Sequence, residues 1–433
     1  MGCDEEDERV VPRLELASLP IPDELLGEIL LRLPTPADLT RASAACLPFR
    51  RVVADRFFLR RYRKLHSPPL LGFFDYKRRV FHPATLPYSS ASATSAVALA
   101  ADFSFSFLPA PASDWVIRDI RDGRVLLERI PQDHIDNRYS VIFGELVVCD
   151  PLHRLYLLLP PIPYDLASLV EDPIFTNKQP RVEIFLVPPG CGVEAAAVDE
   201  TSFRVIWMAT CKTRLVAFVF SSNTGQWRAI LSCRWTDLSA GTRLFFSRQC
   251  VYGSFYWLTA DYEERKLLVL DTKTMEFSFA EPPPKASTVF DFAMVEAGEG
   301  RLGMFVVGYS TRDINYFIRQ NDGASSSQWQ KVKTISLHSW AHLICNMEKY
   351  LLLYIGQKNS LLEQGCYTLD SETFQFEKVC ALEPTYYELC AYRNFPASLS
   401  SPTISSGVEK GPEKEMLGQG CVASSSAESA RSE

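Results

Sequence analysis

The chain has 433 residues, of which 47% are hydrophobic and 22% charged, and carries a formal net charge of -7. That length holds two or three average domains, or a small one followed by one large repeat domain, and the composition is that of a globular protein. The acidic balance, with a pI near 5.6, argues against a general nucleic-acid binder. Twelve cysteines without a CxxC pair, regular spacing or a secretory signal ahead of them read as reduced thiols used as small apolar residues, as expected of an intracellular chain, cytoplasmic and/or nuclear.

Residues 1–17 read as an acidic, disordered lead-in. Met1-Gly2-Cys3 invites a myristoylation reading, but Glu6 stands where Ser or Thr is needed. Residues 18–66 read as three short helices. Pro22 suits a first helical turn and Asp23 and Glu24 favour the helix dipole. Leu26, Ile29, Leu30 and Leu33 recur at three-and-four spacing on one stripe, which Leu25 widens. Pro34 ends this helix. Thr35-Pro36-Ala37-Asp38 starts the second, which carries Leu39, Ala42, Ala45 and Cys46. Pro48 opens a third with Val52, Val53, Phe57 and Phe58 inward. Arg50, Arg51, Arg56, Arg60, Arg61, Arg63 and Lys64 form its basic side, read as a solvated face. Some 45 residues bury too little surface to be robust alone, so the apolar stripe asks for a partner or a neighbouring domain.

The run I-P-D-E-L-L-x-E-I-L-x-R-L-P-x-P-x-D-L-x-R-A-S-x-A-C-x-x-F-R from Ile21 to Arg50 resembles an F-box, with Ala45 and Phe49 where that family often has Val and Trp. The resemblance implies docking on a Skp1-like adaptor and, through it, on a cullin. Pro22, Leu25, Leu26, Ile29, Leu30, Leu33, Pro34, Leu39, Cys46 and Phe49 are the expected adaptor-binding residues.

After His66 the pattern changes to short apolar runs broken by turns, the mark of an all-β domain. Pro68-Pro69 makes a stiff link into it. The apolar stretch from Ala91 to Ala112 is interrupted by Asp102 and prolines and falls short of a membrane span. One unit recurs: a strand ending near Asn or Asp, a short polar turn, then a strand opening on an aromatic. It is seen at Val216–Trp227, Leu267–Phe277, Tyr316–Trp329 and Tyr367–Phe376. The aromatics Trp227, Phe277, Trp329 and Phe376 are spaced 50, 52 and 47 residues apart. A period near 50 is that of a kelch-type propeller blade. Strands ahead of each hairpin (Arg204–Thr210, Tyr252–Thr259, Arg301–Tyr309, Tyr350–Ile355) bring the unit to about four strands. Leu146–Leu159 and Gly72–Phe81 extend the count to about six blades. Asp119–Leu127, Leu146–Pro161, Phe218–Trp227 and Leu268–Phe277 resemble the F-box-associated β-propeller of plant F-box proteins, particularly those of grasses. The expected architecture is therefore multidomain, a small all-α three-helix F-box at 18–66 and an all-β propeller at 67–397, followed by a disordered tail at 398–433.

The sequence holds no P-loop, no GxGxxG after a strand, no GxSxG and no HExxH. His338, His342 and Cys345 share a spacing that a metal site uses, but on a strand it does not align ligands. Asp114, Asp119 and Asp122 read as turn formers, Cys211 and Cys250 as buried thiols, and the seven tryptophans mainly as blade core. No catalytic residue, cofactor, metal, nucleic acid or membrane is expected. The resemblances imply a substrate-recognition subunit of an SCF-type ubiquitin ligase that makes and breaks no bond itself and whose propeller holds a target protein. Two rivals are a propeller enzyme or carbohydrate-binding protein, and an F-box scaffold acting outside a ligase.

Overall fold

The computed structural model describes residues 21–393 apart from connecting stretches, the longest being 131–141, 189–201 and 231–247. The acidic lead-in, the C-terminal tail, Thr35, Arg56, Phe57, Arg60, Arg63, Lys64, Pro68-Pro69, Trp235 and His338 lie outside the described residues.

From Leu70 onward the chain is a six-bladed β-propeller built of antiparallel sheets. From the innermost strand outward, blade 1 is Trp115–Arg121, Arg124–Arg129, Glu145–Asp150 and Leu155–Leu158. Blade 2 is Val182–Val187, Arg204–Thr210, Leu215–Ser221 and Gln226–Ile230. Blade 3 is Gln249–Val251, Ser254–Leu258, Leu267–Asp271 and Glu276–Ala280. Blade 4 is Phe292–Glu296, Leu302–Val307, Asp313–Arg319 and Trp329–Ser336, and blade 5 is Ala341–Met347, Tyr350–Ile355, Gly365–Asp370 and Phe376–Cys380. Blade 6 closes the ring. Its inner strand, Leu389–Arg393, comes from the far end of the propeller and pairs with Leu70–Asp75, which pairs with Val80–Pro83.

The repeat read from the sequence is the outer hairpin of each blade, and its turn chemistry explains why it recurs. Asp150, Asp271 and Asp370 each end a strand and accept two backbone N–H groups through Oδ1. The donors are Leu152 and His153, Lys273 and Thr274, and Glu372 and Thr373, at 2.7–3.4 Å. The next residue sits in the left-handed region, at φ 55° for Arg154, 58° for Met275 and 58° for Phe374, while blade 2 uses Gly225 there at φ 66°. Aspartate suits this place because its short side chain satisfies the turn's own amides. Asp122-Gly123 and Tyr252-Gly253, with positive φ at both residues, make the tight turns between the two inner strands of blades 1 and 3.

Aromatic and branched side chains fill the space between blades. Trp115, Trp207 and Trp257 are fully buried, and Trp207 stacks on Phe143 and Phe218. Trp227 and Trp329 do a second job. Their indole N–H groups donate at 2.8 Å to the carbonyls of Pro160 and Glu281, each just past the outer strand of the preceding blade. Trp340 instead reaches solvent.

Blade 6 has three strands among the described residues, and a helix stands against it instead of a fourth. The first part of the apolar stretch from Ala91 to Ala112 forms the ten-residue helix Ala91–Ala100, which packs on Leu70–Asp75 and Val80–Pro83 and buries Val97 among Leu71, Phe74 and Phe105. Among the described residues no helix is long and apolar enough to cross a membrane.

Ahead of the propeller lie α1 (Asp23–Leu30), α2 (Pro36–Ala45) and α3 (Leu47–Ala54). The expected single third helix is two pieces. Asp55 takes an extended conformation, φ -68° and ψ 130°, and its carboxylate accepts the N–H of Phe58 at 2.9 Å, so it ends α3 and caps a further helical segment that includes Phe58, Arg61 and Tyr62.

Candidate functional site

Burial divides the residues expected to meet an adaptor. Leu26, Leu30 and Leu39 join Leu31, Val52, Phe58 and Tyr62 in the helical module's own core, with Leu33 and Phe49 packed at its margin. Cys46 is half-buried, and Pro22 and Pro34 are exposed. Leu25 and Ile29 point the other way. They are 58% and 54% exposed, against 2% and 3% for their neighbours Leu26 and Leu30. Four residues apart on α1, they stand one above the other on a single helix face. Leu47, at the start of α3, is 59% exposed. The expected stripe is thus two stripes, one holding the helices together and one turned outward. Among the described residues, the cluster that buries Leu26 and Leu30 contains no propeller residue.

The outward face rests on a hydrogen-bonded base. At the end of α1 the carbonyls left without helical partners are taken up by side chains from the last helical segment. The Tyr62 hydroxyl donates to the Leu33 carbonyl at 3.0 Å, and the His66 Nε2 lies 2.7 Å from the Leu31 carbonyl. The two rings stack at 4.1 Å. Burial, helped by the charge of Asp38, pushes the Tyr62 phenol up to about 12. The basic side also turns back on the module: Arg51 pairs with Asp23 and Arg61 with Glu28, both at 2.7 Å. Exposed pairs of this kind contribute at most about 1 kcal/mol each. They fix α1 against the segments that follow it and spend two of the cations on structure.

In the propeller, carboxylates tie the inner strands of neighbouring blades. The sequence reading of Asp119 as a turn former is corrected here: it sits on the inner strand of blade 1, at an irregularity in the pairing with the next strand. Its Oδ2 accepts the N–H of Leu186 in blade 2 at 2.8 Å, while Oδ1 lies 3.0 Å from Arg248. Arg248 also reaches Glu183 at 3.3 Å and covers the Phe185 ring at 4.3 Å. Asp291, ahead of blade 4, takes the N–H of Leu343 at 2.9 Å and lies 2.7 Å from His342 Nδ1. An inner strand has an open edge, and these carboxylates satisfy its amides. His342 is therefore committed to Asp291. Burial pushes the Cys211 thiol up to about 11 and raises the Cys250 thiol as well, which disfavours the thiolate that a nucleophile needs. Sequence reasoning missed these ties because each joins residues more than fifty positions apart.

A six-bladed propeller behind a small helical module with an outward apolar face defines the class of an F-box-associated propeller protein. The model of the family described as F-box protein AT5G49610-like, beta-propeller matches residues 116–351, more than half of the sequence, and the chain belongs to that family. Membership supports a general adaptor role and suggests one without catalysis. Comparison with curated proteins returned no match. Among solved structures the chain is similar to the β-propeller domain of the Trilobed protease from Pyrococcus furiosus, at 9% identity and a TM-score of 0.34 over 61% of this chain and 70% of that one. A chain of the nidogen/laminin complex is similar at 11% identity and a TM-score of 0.34, over 65% of this chain and 85% of that one. TolB from Acinetobacter baumannii is similar at 10% identity and 0.32, over 69% and 61%. Likenesses this distant say nothing about function.

Proposed function

We propose that the chain is the substrate-recognition subunit of an SCF-type ubiquitin ligase. The helical module docks on a Skp1-like adaptor, which brings the cullin, and the propeller holds a target protein. The reading rests on family membership and on one observation: Leu25 and Ile29 are turned to solvent while Leu26 and Leu30 are buried. Burying a leucine or isoleucine contributes roughly 1.5–3 kcal/mol, so a partner that covers this face gains affinity at little loss to the free chain. The mechanism is effective concentration. A target held on the rigid propeller meets the charged enzyme in a nearly intramolecular encounter, and no residue of this chain takes part in bond making.

The double change Leu25→Asp and Ile29→Asp tests the reading in a pull-down with a Skp1-like adaptor. Both positions are exposed, so stability should change by less than about 1 kcal/mol in total. Binding should be lost while helix content and propeller melting stay at the parent values. Undiminished binding would refute the docking face. Substituting Leu26 or Leu30 would be uninformative, because a charge there enters the module's own core.

A further inference from the structure

Blade 5 carries a pair of thiols with no part in the reading above. Cys366 and Cys380 stand opposite one another in the antiparallel pairing of the two outer strands. Both are reduced and buried, and the two thiols are in hydrogen-bond contact. Facing residues of an antiparallel pair hold their Cα atoms about 4.5–5.5 Å apart, inside the roughly 4.4–6.8 Å that a disulfide bridges. Gly365 brings the strands together at this point: at φ 151° a Cβ there would lie 2.6 Å from the Cys380 carbonyl oxygen. The pairing is irregular next to the two cysteines, which leaves Val379 as an extra residue. Its carbonyl accepts the Thr85 N–H at 3.0 Å and the Thr85 hydroxyl at 3.2 Å. The thiols therefore sit where blade 5 meets the chain leaving the outer strand of blade 6.

We propose that Cys366 and Cys380 are a disulfide-forming pair, oxidised by a small-molecule disulfide such as glutathione disulfide, and that the bridge staples the outer edge of blade 5. Cys380 reacts first, because it ends the edge strand and is followed by exposed Ala381. Its thiolate attacks one sulfur of the oxidant, the S–S bond breaks, and one glutathione leaves and takes up the proton that Cys380 gave to solvent. The Cys366 thiolate then attacks the Cys380 sulfur of the mixed disulfide, and the second glutathione leaves and is protonated in turn. Two thiols lose two electrons and two protons, and one glutathione disulfide becomes two glutathiones. The contact with Cys380, together with burial, raises the Cys366 thiol far above its usual range. Cys366 is also fully buried, so oxidation waits on opening of the edge strand and is slow in the folded chain.

The test uses the full chain under native conditions with glutathione disulfide, followed by acid quench, alkylation in denaturant and peptide mass mapping. The expected product is a cross-linked peptide joining Cys366 to Cys380, lost on reduction, with a rise of roughly 2–5 °C in melting temperature. Cys380→Ala should give neither, with circular dichroism unchanged from the parent. Absence of that peptide even in sub-denaturing urea, a bridge to another cysteine instead, or a fall in melting temperature on oxidation would overturn the proposal.

Discussion

At the scale of the residue, the choice between adjacent leucines decides what the helical module presents. The repeat of apolar residues was legible and so was the helix, but Leu25 and Leu26, or Ile29 and Leu30, look alike in a hydropathy pattern. Which of each pair faces inward depends on where Val52, Phe58 and Tyr62 lie, and those positions are fixed by the break at Asp55. Tyr62 shows how firmly that inner side is set. Its folded-state pKa of about 12 lies above the ordinary value of 10.0, so the folded module favours the neutral phenol. The resulting stability is fully present below pH 10 and is lost as pH rises through about 12. Comparing parent and Tyr62→Phe by helical circular dichroism across that window should show a decline in the parent that the variant lacks. At neutral pH the variant should be less stable by roughly 0.5–1.5 kcal/mol, because it loses the bond to the Leu33 carbonyl. Equal alkaline curves would mean that the phenol is not held neutral by the fold.

At the scale of the element, the outer hairpins were the most legible part of the chain, because their signal is local. An aspartate, a few polar residues and an aromatic lie within about ten positions, and the same turn geometry is reused in blades 1, 3 and 5. Asp370→Ala removes the acceptor for two turn amides and should destabilise the propeller by about 1–3 kcal/mol. Arg154→Gly should act in the opposite sense. Arg154 is exposed at φ 55°, a conformation that costs a side chain roughly 1–2 kcal/mol, and glycine's greater freedom in the unfolded chain returns only part of that. Urea unfolding checks both, with a lower midpoint for the first and a slightly higher one for the second. The break in the third helix was less legible: Asp55 looks like one more polar residue on a helix surface until its carboxylate is seen capping the Phe58 amide.

At the scale of the whole molecule, the ring closes by non-local pairing, which no short window of sequence records. The period near 50 pointed to blades, and Gly72–Phe81 to a hairpin, but nothing local in Leu389–Arg393 announces that it pairs with a strand more than three hundred residues earlier. The inter-blade ties of Asp119, Asp291, Trp227 and Trp329 were hidden for the same reason. Removing residues 389–433 should leave Phe73 and Phe74 without the inner strand that covers them, lower the melting temperature and expose the chain to aggregation, as size-exclusion chromatography would register. A monomer that melts like the parent would mean that the closing strand is dispensable. In the proposed function the closed ring holds a target and the outward face of α1 meets an adaptor. Hydrogen exchange of the full chain with and without a Skp1-like adaptor tests that division most directly. Slowed exchange is expected in α1 and its helical neighbours with the blades unchanged; binding that protects the blades and leaves Leu25 and Ile29 as they were would contradict docking through α1.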